Sequence, residues 1–110
     1  MTIKELNASL NESGIPAYFQ NPNQLVIAEA VPPYPSVNSF WVTWFDGHWY
    51  LATWLPAIYR APVDCDFQEV IVAVLKSSNT ALYVVTADLV KRYSLTRLTD
   101  NEVDIFMERA

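Results

Sequence analysis

The amino-acid sequence predicts an α+β domain: an antiparallel sheet of about four to five strands, built on two hairpins and packed against helices on one face. Three observations predict it. Two aromatic, β-branched runs, Phe40–Phe45 and His48–Trp54, flank Asp46-Gly47, a dipeptide that tolerates the positive φ angles of a two-residue type I′ turn. A second pair of β-rich segments flanks Asn21-Pro22-Asn23. Elsewhere, apolar residues recur at helical spacing behind capping-box patterns.

The first element is a short helix over about residues 3–12. Thr2 and Glu5 have capping-box spacing, Ile3, Leu6 and Leu10 form the apolar stripe, and Gly14 supplies the stop. Ala17–Gln20 and Gln24–Ala30 then form the first hairpin, because proline presets one turn dihedral and asparagine tolerates the others. Val31-Pro-Pro-Tyr-Pro35 is an extended connection, since proline cannot donate to a strand ladder.

The Asp46-Gly47 hairpin carries its own register. With Phe45 opposite His48, the pairs run Trp44–Trp49, Thr43–Tyr50, Val42–Leu51, Trp41–Ala52 and Phe40–Thr53. One face therefore holds Phe40, Val42, Trp44, Trp49, Leu51 and Thr53, and it is assigned to the core. The second face holds Trp41, Thr43, Phe45, His48, Tyr50, Ala52 and Trp54. Its mixture of aromatic rings and polar groups implies that something covers it at least in part.

Ala57–Arg60 continues as a bent strand that Pro62 ends. Asp66 and Glu69 repeat the capping pattern, and Phe67, Val70, Ile71, Val74 and Leu75 give a buried stripe to a helix over roughly residues 66–77. Ala81–Val85 reads as a short strand. Thr86 caps a helix through Tyr93, and Thr99 with Glu102 opens a last helix bearing Val103, Phe106 and Met107.

Residues 1–110 fit a single domain. With 52% hydrophobic and 17% charged residues, the chain has enough apolar surface to offset backbone ordering, so it is expected to fold without a cofactor. A net charge of −5 argues against a nucleic-acid partner, because phosphate binding rests on Lys and Arg. The sole cysteine, Cys65, cannot close an intramolecular disulfide and points to the cytoplasm. Neither a signal peptide nor a bilayer-spanning apolar run is expected, so no membrane partner is.

Candidate chemistry has simpler explanations throughout. His48, the one histidine, is near Asp46, yet the turn already requires Asp46, and a histidine beside a hairpin tip is an ordinary strand residue. Asp64 and Asp66 flank Cys65 and oppose its ionisation despite the adjacent helix start. Asp-Cys-Asp lacks the further oxygen ligands of a calcium loop, so no metal is expected. Asp100, Asp104 and Glu108 share one helix side as a solvated stripe. Lys91, Arg92 and Arg97 surround Tyr93 in the manner of an RNA patch, but Lys91 and Arg92 occupy the last turn of a short helix, where cations complement the dipole.

Between Ser13 and Val63 the only formal charges are Glu29, Asp46 and Arg60, and all four tryptophans fall in the same stretch. Charge depletion with aromatic enrichment is typical of interface centres. The leading expectation is therefore a non-enzymatic binding domain that uses Trp41, Phe45, Tyr50 and Trp54 to form a homodimer or hold a protein partner. In size and charge alone the chain is similar to small acidic bacterial inhibitors and immunity proteins. The alternative is a small-molecule site walled by Trp41, Tyr50 and Trp54, with Glu29, Arg60 or His48 as polar anchors, suited to a cationic ligand. An enzyme is the weakest expectation, because the chain offers few ways to assemble a nucleophile, a base or a phosphate cradle.

Overall fold

The computed structural model describes residues 1–27, 39–53, 57–77 and 84–109. Helix α1 (Ile3–Glu12) opens with the complete reciprocal capping box between Thr2 and Glu5. Strands β1 (Ala17–Asn21) and β2 (Gln24–Ile27) form the first hairpin, and β3 (Phe40–Phe45) and β4 (His48–Ala52) the second. Strand β5 (Ile58–Arg60) leads to α2 (Phe67–Ser77), where the Asp66 carboxylate accepts from the Glu69 amide at 3.3 Å. Helix α3 (Ala87–Tyr93) is capped by Thr86, β6 is Thr96–Arg97, and α4 (Asp100–Arg109) ends the fold.

The six strands among the described residues lie in one antiparallel sheet in sequence order, β1-β2-β3-β4-β5-β6. The central hairpin pairs in the expected register from Phe45↔His48 to Trp41↔Ala52. Its turn places Asp46 at φ 50° and Gly47 at φ 77°, the conformation that requires residues tolerant of the left-handed region. A shift between Phe19 and Asn21 interrupts the β1–β2 register and leaves Gln20 as the extra residue of a bulge.

One face of the sheet carries the main core. Leu25, Ile27, Phe40, Val42, Trp49 and Leu51 meet Leu6 and Leu10 of α1, Phe67, Val70, Ile71 and Val74 of α2, and Leu89 of α3. Trp49 stacks almost parallel on Phe67, 5.3 Å between centroids, and Trp44 closes on Trp49 at 4.9 Å. Trp44 sits at the rim of this core, 38% exposed.

The structure exceeds the sequence expectation in strand number and in the placement of the helices. Instead of four to five strands there are six among the described residues, because Thr96–Arg97 pairs with Tyr59 and Arg60. A two-residue strand is too short to carry a periodicity. Helices also cover both faces rather than one. The Leu98 amide donates to Ile58 O at 2.8 Å, and the chain then delivers α4 to the second face, since α1, α2 and α3 already fill the first. Val84 and Val85 of the expected 81–85 strand are not in a strand. The other three positions of that segment, the 31–35 connection, Glu29 and Trp54 lie outside the described residues.

Candidate functional site

Strand register assembles the second face in rows. Val26 of β2 stands beside Trp41 of β3, Ala52 of β4 and Ile58 of β5. The next row runs Gln24, Thr43, Tyr50, Arg60 and Thr96, and Phe45 and His48 close the hairpin end. Alternation within each strand dictates these neighbours once the pairing is set.

Helix α4 crosses this face and is held by one buried anchor, Phe106. Its ring lies 4.7 Å from Tyr50 and meets Phe45 edge-on at 5.8 Å. Ile58 and Leu98 complete this second cluster, with Val103, Phe45 and Ala52 packed around it. At the helix start the Thr99 amide donates to Glu102 Oε1 at 3.0 Å and Thr99 Oγ1 accepts from the Glu102 amide at 3.3 Å. Hydrogen bonding to the carboxylate, first from the Thr99 backbone amide and then from the Thr99 side chain, holds the Glu102 carboxyl below the usual glutamate range, and Arg60, 4.0 Å away, adds to the effect.

Because α4 touches the sheet along a narrow line, it leaves a groove on each flank. The larger encloses about 430 Å³. Gln20, Gln24, Trp41, Ala52 and Ile58 form its sheet side together with Thr53, and Val103, Phe106 and Met107 form its helix side. Trp41 Nε1 donates to Gln20 Oε1 at 2.7 Å, a short bond across the bulge. Gln24 Nε2 meets Thr43 Oγ1 at 3.4 Å, and its Oε1 accepts from Asn21 Nδ2 at 3.2 Å. The smaller groove, about 220 Å³, mixes charges of both signs: Asp46 and Glu102 with Arg60 and Arg109, beside Phe45, Tyr50 and Ile105.

These two grooves separate the residues singled out from sequence. Trp41 lines the larger one, whereas Phe45, Tyr50 and Arg60 line the smaller. Tyr50 is already buried and Phe45 half-buried against Phe106. His48 lies in neither; its Nδ1 is 3.3 Å from Ala61 O, and since a carbonyl only accepts, that bond requires the Nδ1–H tautomer. Sequence reasoning did not assign Gln20, Gln24, Ile58, Val103, Phe106 or Met107 to a site. Val103, Phe106 and Met107 were visible as an apolar stripe, but the surface they would meet was not.

The remaining candidates have structural surroundings. Cys65 is half-buried, and burial pushes its thiol pKa up, with Asp66, Asp64 and Glu69 adding to the effect. Asp100, Asp104 and Glu108 are all exposed. Arg92 pairs with Asp88 at 2.7 Å and lies over the Tyr93 ring at 6.0 Å. Among the described residues no group of three or more His, Cys, Asp or Glu could hold a metal, and no helix is long and apolar enough to cross a membrane.

In comparisons with known proteins, no family model, no curated protein and no solved structure matches the chain.

Proposed function

We propose that this chain is a non-enzymatic binding domain whose site is the larger groove between α4 and the second face of the sheet, and that the groove takes a small, largely apolar ligand. The observation that carries the reading is the groove itself. Its volume of about 430 Å³ lies in the range of small-molecule sites, and its composition, apolar and aromatic walls with a few polar groups at one side, is typical of them.

A homodimer or protein partner on the same face has less to stand on. Phe106 already engages Tyr50 and Phe45, so two of the rings expected to meet a partner are committed within the chain. A non-catalytic role draws support from the positions of His48 and Cys65, neither of which lines the groove. The single cysteine is what supports a reducing, cytoplasmic setting.

The test is a titration of the full chain with indole, read on the methyl signals of Ile58, Val103 and Met107. Saturable shifts are expected at those methyls and not at Val63, which is exposed outside the groove. Ala52→Phe, which places a ring in the groove, is expected to abolish them. Shifts that are absent, or that appear equally at Val63, would overturn the reading.

A further inference from the structure

Resting on that groove as a binding site, we propose that its ligand is an uncharged, flat aromatic molecule with a hydrogen-bond acceptor: the ring packs against Trp41 and the acceptor accepts a hydrogen bond from the Gln20 carboxamide N–H. Charge is the first reason. Every described residue that lines the groove is neutral, in a chain whose net charge is −5. The nearby ionic groups, Arg60, Glu102 and Arg109, line the opposite flank of α4 instead. A carboxylate or ammonium in the larger groove would surrender hydration without a counter-charge, while a neutral ring would not.

Hydrogen-bond bookkeeping supplies the second reason. An indole nitrogen can only donate, so the atom of Gln20 that faces Trp41 Nε1 at 2.7 Å is the oxygen. That leaves the Gln20 amide nitrogen, a donor of two bonds, as the free end of its head group. Gln24 is more committed, because Asn21 occupies its oxygen and Thr43 takes one of its two N–H donors. The polar wall therefore offers a donor, and an acceptor on the ligand matches it.

Backbone geometry places that donor. Gln20 is the extra residue where the β1–β2 register shifts between Phe19 and Asn21. Alternation from Tyr18, opposite Val26, keeps Gln20 on the second face, and the bulge leaves it outside ladder pairing there; its side chain reaches from the edge strand to Trp41 two strands away. The ring requirement follows from Trp41 and Phe106 lining the groove, with Ala52 small enough to leave room between them. Flat aromatic groups gain most against such walls.

Three benzene-ring fragments of similar size and different charge test the proposal: benzamide, benzoate and benzylammonium, each titrated into the full chain and read on the Trp41 Nε1–H and the Ile58 and Met107 methyl signals. Benzamide is expected to bind at least about tenfold more tightly than either ion, the discrimination that an uncompensated charge in an apolar site commonly produces. Gln20→Leu, at an exposed position, is expected to weaken benzamide about fivefold or more while the fold is retained. If benzoate or benzylammonium binds as well as benzamide, the neutral-ligand proposal is wrong and the groove remains a site. Unchanged benzamide affinity in Gln20→Leu removes the donor role. If none of the three perturbs the groove signals, both the proposal and the reading beneath it fail.

Discussion

Replacing Phe106 by alanine should release α4 from the sheet while the rest of the fold persists. Phe106 is 7% exposed, and it is the one residue of α4 that is buried. Burying a phenylalanine side chain contributes about 1.5–3 kcal/mol, and close aromatic pairs such as those with Tyr50 and Phe45 add about 0.5–1.5 kcal/mol each. Core Phe→Ala changes commonly cost about 3–5 kcal/mol. A terminal helix can depart instead of preserving a cavity, which favours the lower end, about 3 kcal/mol. Each ~1.4 kcal/mol is tenfold in an equilibrium constant, so α4 amides should exchange with solvent about a hundredfold faster, or reach unprotected rates if docking is weaker than that. Native-state hydrogen exchange measures this residue by residue. Amides of Val70, Ile71 and Val74, fully buried in the main core, should stay protected well above those of α4. Undiminished protection of α4, or equal loss of protection in α2 and α4, would refute the claim that Phe106 is the anchor of a separately docked helix.

Two further perturbations probe the turn and the last helix. Gly47→Ala meets no atom within 4 Å of the added Cβ, so its cost is the backbone strain of a side chain held at φ +77°; denaturant unfolding should show a loss of about 1–2 kcal/mol. The Glu102 carboxyl is held low chiefly by the Thr99 amide, so its contribution to α4 is fully present above the ordinary glutamate pKa and is lost as pH falls through the depressed folded value. Exchange protection at the start of α4 should fall on acidification over that window, and Glu102→Gln should flatten the dependence. An unchanged acid limb in that variant would count against the capping box as its source.

Much of the fold was legible because it is local. Asp46-Gly47 specifies its turn within two residues, and the hairpin register follows without reference to the rest of the chain. Thr2 with Glu5 and Thr99 with Glu102 close capping boxes over three residues. The stripe Phe67, Val70, Ile71 and Val74 enters the core as its helical spacing demands. The site was less legible. Trp41 stood out by residue type, but Gln20 gained its place from a bulge and from a bond to a residue twenty-one positions away, and no local pattern encodes either.

Sequence by itself determined that an aromatic second face exists and which side chains share it, since alternation along a paired strand is a consequence of backbone geometry. Only the tertiary structure decided what covers that face. The apolar stripe of α4 would fit any exposed apolar surface; it meets Tyr50 and Phe45 because β6 and Leu98 bring the chain around the sheet edge, where the first face is already filled. One helix laid across a broad sheet cannot cover it fully, and the groove at Trp41 is what that mismatch in width leaves open.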